Sequence, residues 1–394
     1  MAGMPAPRIR RRLIVAAIVL TFAAGIWIAA PYVSSTALLL DLAEPGSRLR
    51  AWLPVRVRDL RESSVAVPTR YGPVDARLHV PASGSRGMIV IVPGVHAGGV
   101  DEPRLAALAR RVAASGTTVL TLPLPDLRRY RITPHSTDQI EDAVIWASSQ
   151  PDLARDGKVG VIGVSFAGGL ALVAAGRPSL RGRLNGVASL GGHSDLPRAM
   201  AYACTGRLPD GSTRPPHDYG VVLVFLAGIP RVVPADQAAA LDRAVVTFLD
   251  ASSDASMNPQ RSAAGFAEAR RQADALPEPS QTLMRWVNDR DVAHLGEKLL
   301  PFVEELGGDA ALSPERSPAA AVPVFLLHGT LDNVIPSSES PALRSYLMRS
   351  GNLRVESLLT PIVSHATMQT DYGFADAWRL IRFWTRTFKQ LVVS

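Results

Sequence analysis

Ser165 stands in Val159-Gly160-Val161-Ile162-Gly163-Val164-Ser165-Phe166-Ala167-Gly168-Gly169, where a β-branched run passes directly into a helix-forming stretch. A hydroxyl raised on a tight strand-to-helix turn is placed for nucleophilic attack, and such a turn needs small residues two positions before and after it. Gly163 and Ala167 meet that need, although alanine at 167 departs by one methyl from the usual glycine. The string by itself also fits a plain small-residue junction. Three other stretches carry what a serine nucleophile requires. Val92-Pro93-Gly94-Val95-His96-Ala97-Gly98-Gly99 follows the apolar run Met88 to Val92, and a glycine-rich loop lets backbone N–H groups approach a developing oxyanion. Asp332 lies just beyond the run Val322 to Leu327, where a carboxylate can orient a histidine and stabilise the imidazolium formed during proton transfer. His365 follows Leu353 to Leu359, placed to reach back over a sheet edge. Each of these three also reads as an ordinary turn.

To bring such residues together the chain needs strands ending on one edge. From about residue 64 it alternates short apolar or β-branched runs with longer helical patterns, which predicts a mostly parallel sheet covered on both faces. Ser64–Val67 and Asp75–Val80 flank Tyr71-Gly72-Pro73 and read as an opening hairpin. Met88–Val92, Thr117–Leu122, Lys158–Ile162, Val187–Leu190, Val322–Leu327 and Leu353–Leu359 read as further strands. Helical periodicity appears at Arg104–Ala114, Gln139–Ser149, Phe166–Ala175, Ala342–Met348 and Ala375–Leu391. The interval between the runs at 187–190 and 322–327 is far too long for a crossover, so residues 196–318 read as an insertion. It is mainly helical at Ala235–Leu249, Ala263–Ala273 and Gln281–Leu306, with breaks at 276–280 and 312–318.

Serine, then acid, then histidine, each past the carboxyl end of a different strand, is the chain order of the α/β-hydrolase triad. At these residues the sequence resembles the α/β-hydrolase superfamily, and within it the dienelactone-hydrolase-like serine hydrolases, over roughly residues 64–195 and 319–392. The resemblance implies an α/β-hydrolase fold with a helical lid. It further implies Ser165 as nucleophile, His365 as general base and then acid, Asp332 as its orienting carboxylate, and the backbone N–H groups of Val95 and Phe166 as oxyanion donors, with no cofactor. Dienelactone hydrolase itself uses cysteine, whereas the elbow residue here is serine and the only cysteine, Cys204, falls in the insertion. The common His-Gly of the oxyanion loop is Pro93-Gly94. The insertion falls where such folds carry a lid, and its apolar piece Val221–Ile229 reads as a pocket wall for an acyl chain, as lid core or as a contact with the nearby membrane.

Rival readings concern single residues. Asp195, after the Val187–Leu190 run, is the competing acid. His193, His217 and His294 lack metal-ligand spacing, and one cysteine supports neither a disulfide nor a Cys-based metal site. His96 is placed to contact substrate or to bond its own loop. Gly94 to Gly99 lacks the Lys-Ser or Lys-Thr of a phosphate loop, and the elbow has serine where a dinucleotide fingerprint needs its second glycine.

The formal net charge of +7 would suit a nucleic acid, but Arg8, Arg10, Arg11 and Arg12 account for four of those charges. The remainder lacks the broad basic footprint that phosphate binding requires. After that cluster, residues 13–33 carry no charge over 21 positions, about 31 Å as a helix, which matches a bilayer core. The sequence therefore divides into a basic cytoplasmic terminus (1–12), a transmembrane helix (13–33), a juxtamembrane linker (34–63), a hydrolase core (64–195 and 319–394) and a lid (196–318). Cationic flanks stay cytoplasmic, so the catalytic part is expected on the extracytoplasmic side, anchored to the cell membrane by a single span or secreted after cleavage. The expected activity is hydrolysis of a small-molecule carboxylic ester. A peptidase or acyltransferase with the same triad, and a non-catalytic tethered binding module, are the alternatives.

Overall fold

The computed structural model describes residues 25, 28–43, 48–53, 55, 58–255, 257–365 and 372–392. The expected transmembrane segment lies for the most part outside them. Among the described residues no helix is long and apolar enough to cross a membrane.

Eight strands form one sheet in the order β1-β2-β4-β3-β5-β6-β7-β8. β1 (Leu60–Val67) and β2 (Val74–Pro81) are the expected hairpin, antiparallel to each other, and β2 is also antiparallel to β4 (Thr118–Thr121). β3 (Met88–Val92), β4, β5 (Val159–Val164), β6 (Leu184–Leu190), β7 (Val324–Gly329) and β8 (Val355–Thr360) run parallel. This order, with helices on both faces and a strained serine after β5, is the α/β-hydrolase fold.

The sheet is apolar on both sides because it is covered on both sides. In β3, Met88, Val90 and Val92 belong to one core, and Ile89 and Ile91 to the other. The first core holds α3 (Pro134–Ser148), α4 (Phe166–Gly176), α11 (Glu339–Arg349) and the insertion. The second holds α1 (residues 28–43), α2 (Pro103–Ala114) and α12 (Phe374–Val392).

The segment expected to link membrane and domain contributes part of α1, which docks on the second core. Ala37 and Leu38 are 2% and 6% exposed, Ser35 Oγ lies 2.9 Å from the Thr385 hydroxyl of α12, and Asp41 pairs with Arg50 at 3.0 Å and Arg111 at 3.4 Å.

The insertion comprises α5 (Leu196–Thr205), α6 (Asp218–Val232), α7 (Ala235–Asp254), α8 (Pro259–Asp274), α9 (Ser280–Asn288) and α10 (Val292–Leu299). Gln281–Leu306 was expected as one helical pattern. It is broken at Arg290, whose φ is 57°, because Asp291 starts a new helix by accepting a hydrogen bond from the His294 N–H at 3.1 Å. Two ion pairs pin the insertion to the core: Arg198 reaches Glu339 at 2.6 Å, and Arg316 reaches Asp195 at 2.6 Å.

Candidate active site

Ser165 follows β5 and precedes α4 with φ 56° and ψ −137°, a conformation that residues other than glycine rarely adopt. The turn is tight enough that the chain folds back on Gly163. A Cβ there would stand 2.8 Å from the carbonyl carbon of Ala167 and nearer still to its oxygen. Gly163→Ala is therefore expected to lower stability by roughly 3 kcal/mol and to displace the serine, because backbone cannot yield as a flexible side chain would. Denaturant unfolding of the purified variant checks this, and wild-type stability would mean that the elbow is softer than its geometry implies.

The Ser165 hydroxyl lies 2.9 Å from Nε2 of His365, and Nδ1 of the same ring lies 2.8 Å from Oδ2 of Asp332. Three residues spread over 200 positions thus form one hydrogen-bonded line at the carboxyl ends of β5, β7 and β8. Asp332 is buried, with 1% of its side chain exposed. Its Oδ1 accepts the N–H groups of Val334 at 2.9 Å and Ile335 at 3.0 Å, and His328 Nε2 stands 3.4 Å from Oδ2. Burial opposes its charge, but hydrogen bonds from His328 and His365 outweigh burial and hold the carboxyl well below its ordinary range. It is a fixed anion positioned on the histidine.

Asp195 is elsewhere employed. It caps α5 through the Arg198 N–H at 2.9 Å and binds Arg316, which makes it a structural carboxylate. His193 is fully enclosed, with Nε2 2.7 Å from the Leu312 carbonyl and its ring against Phe166. His217 caps α6 through the Tyr219 N–H at 3.1 Å, and His294 pairs with Asp291. His96 accepts the Gly98 N–H at 3.0 Å, so it braces its own loop. Among the described residues no group of three His, Cys, Asp or Glu side chains could hold a metal ion. Burial pushes the Cys204 thiol up to about 12, which leaves it protonated and unreactive at neutral pH.

The loop after β3 crosses above the serine. A Cβ on Gly94 would stand 3.0 Å from Ser165 Cβ and 3.2 Å from the Val164 carbonyl oxygen, so a side chain here would crowd the serine. Val95 follows it, buried, and Phe166 is the first residue of α4, where helix N–H groups have no intrahelical acceptor and the helix dipole is positive. The loop is also held from the insertion, a contact with no local sequence signal: the Tyr219 hydroxyl of α6 donates to the Val95 carbonyl at 2.7 Å. Burial raises the Tyr219 phenol, which keeps that proton in place.

Behind the elbow lies a cavity of about 460 Å³ between Phe166 and the insertion, walled by Met200, Leu223, Val224, Ala227 and Leu306. Its charged lining is internally neutralised, since Arg231 pairs with Glu305 and Arg131 with Asp242. The volume falls within the usual range of small-molecule sites.

No protein-family model matches the chain, and no curated protein matches it. Solved structures resemble it in overall shape at low identity. An esterase from Pyrobaculum calidifontis is 18% identical over 97% of this chain and 99% of its own, with a TM-score of 0.45. EstE1, a thermophilic carboxylesterase cloned from a metagenomic library, is 14% identical over 92% and 96%, with a TM-score of 0.47. A Klebsiella pneumoniae protein described as a dienelactone hydrolase is 12% identical over 84% and 98%, with a TM-score of 0.42.

Proposed function

We propose that the protein is a membrane-anchored serine hydrolase that cleaves a carboxylic ester through an acyl-enzyme. The observation that carries this reading is the line Ser165–His365–Asp332, with contacts of 2.9 and 2.8 Å, at an elbow strained to φ 56°. His365 Nε2 takes the Ser165 proton as Oγ bonds to the ester carbonyl carbon. The carbonyl electron pair moves onto oxygen, facing the N–H groups of Val95 and Phe166. Collapse of that intermediate expels the alcohol, which takes its proton from His365. A water then repeats the sequence on the acyl-serine and releases the acid. Asp332 keeps Nδ1 protonated, so that Nε2 is free to accept. The cavity beside Phe166 suits an apolar acyl or alcohol group.

The anchor rests on the uncharged run 13–33 behind four arginines, which favours a single span with the catalytic domain outside the cytoplasm. The test is labelling of the full-length, detergent-solubilised protein with a fluorophosphonate. An adduct at Ser165 that is lost in Ser165→Ala is the expected result. Folded wild type that stays unlabelled would mean the serine is not activated.

A further inference from the structure

The edge of the sheet that carries the candidate site is also the edge from which the apolar N-terminal run departs. Ser165, Asp332 and His365 all follow carboxyl ends of strands, and α12, which follows β8 and His365, begins at that same edge. α12 ends at the opposite edge, where the Leu391 carbonyl accepts from Asn185 at the start of β6 at 3.2 Å. α1 runs alongside α12 in the same direction. Tyr32 stacks on Trp378 with ring centroids 5.5 Å apart, while further along Ser35 meets Thr385 at 2.9 Å. Asp41, near the end of α1, meets Arg111 at the C-terminal end of α2, again at the far edge. The start of α1 is therefore on the catalytic edge. Burial along α1 falls toward that start: Leu38 is buried, Tyr32 half-buried and Ile28 61% exposed. The described part of α1 is thus exposed at about residues 28–31, and the sequence before it carries no charge back to Arg12.

Around that exit the surface is unusually apolar. Phe374 is 85% exposed, and Tyr372 and Trp378 are about two-fifths exposed. Leu331, beside Asp332, and Leu359, near the end of β8, are exposed on the same edge. Phe374 and Trp378 are one helical turn apart, and one turn further along that row stands the exposed Arg382. An aromatic ring at the base of an apolar segment, with arginine behind it, is the arrangement a headgroup region selects. Leu49 and Trp52 are exposed too, but they follow the C-terminal end of α1, roughly 24 Å of helix away from Ile28.

The geometry points to a docking face for the bilayer: Tyr32, Tyr372, Phe374 and Trp378 rest at headgroup level around the departing anchor, and the ester that reaches Ser165 is one carried by the lipid phase. This rests on the anchored-hydrolase reading. Because α1 is fastened to the core with its start on the catalytic edge, a membrane-embedded run before it would hold that edge toward the bilayer.

The experiment places spin labels at Phe374→Cys, at Ile18→Cys in the apolar run and at Tyr71→Cys in the β1–β2 turn, each in the full chain in vesicles of phosphatidylcholine and phosphatidylglycerol. Depth is read by power saturation. The expected result is Ile18 deep, Phe374 at headgroup depth and Tyr71 aqueous. Ile18 deep with Phe374 aqueous overturns the docking face and leaves the anchored reading standing. Ile18 aqueous overturns both. A label at 374 that is dry but broadened by spin–spin coupling means a second copy covers the face, and also overturns it. In parallel, the double variant Phe374→Ser with Trp378→Ser is expected to lose roughly tenfold in kcat/KM on an ester embedded in vesicles, while keeping wild-type rates on soluble p-nitrophenyl acetate. Equal losses on both substrates, or on neither, count against the proposal.

Discussion

Ser165→Ala is expected to lower ester turnover by about 10⁴-fold or more, equivalent to roughly 5.5 kcal/mol of transition-state stabilisation. No neighbouring group can replace the lost hydroxyl. The only thiol, Cys204, is buried in the insertion and held protonated. His365→Ala should cost a similar amount, because without Nε2 at 2.9 Å nothing takes the Ser165 proton. The double variant should be little worse than either single one, since a nucleophile and its base act as one unit and the residual rate comes from oxyanion donors and binding. Stopped-assay kinetics with a p-nitrophenyl ester, on folded variants, gives all three rates. A double variant a further hundredfold slower than the singles would show that the two residues act independently, which would overturn the triad.

Asp332→Asn is expected to cost about 10⁴-fold in kcat with the fold intact, and Asp195→Asn almost nothing. The asymmetry follows from the partners. Oδ1 of Asp332 takes two backbone N–H groups, at 2.9 and 3.0 Å, so an asparagine there would keep its carbonyl oxygen toward Val334 and Ile335. Its amide N–H would then face His365 Nδ1. The ring would be driven to the tautomer protonated on Nε2, which cannot accept a proton from serine. At 195 the amide still caps α5, because asparagine is as good a cap as aspartate, and only the ion pair to Arg316 is lost. That pair is partly exposed and worth about 1 kcal/mol or less. Steady-state kcat for the two variants checks the assignment. The reverse outcome would move the acid to the end of β6.

The candidate site was legible to the extent that it is local. Each of its three side chains sits at a strand end, and a strand end is announced by a short apolar run meeting small or polar residues. Gly163 and Gly94 announced close backbone approach in the same way. The choice between Asp332 and Asp195 was not legible. Both follow a buried strand, one strand apart, and what separates them is that one carboxylate meets His365 while the other meets Arg316, 121 positions along the chain. Tyr219 gave no signal at all. Its hold on Val95 joins residues 124 apart through the approach of an insertion helix to a loop, and no periodicity encodes that approach.

The helical pattern at 281–306 shows the opposite failure. Its apolar spacing continues through Arg290, but a cap by Asp291 ends one helix and starts another, because a side chain that satisfies free N–H groups competes with continuation.

The sequence by itself determined the alternation of strands and helices, the strained serine and the order of the three polar residues, since period, turn chemistry and element order are written along the chain. Only the tertiary structure decided which carboxylate serves the histidine, what braces the oxyanion loop, and that α1 is fastened to the domain on its catalytic edge. Hydropathy ranks residues 13–43 by their aversion to water and cannot say what replaces it. For Leu38 the replacement is the second core, to which α12 contributes, and that contact exists only once chain ends hundreds of residues apart have met.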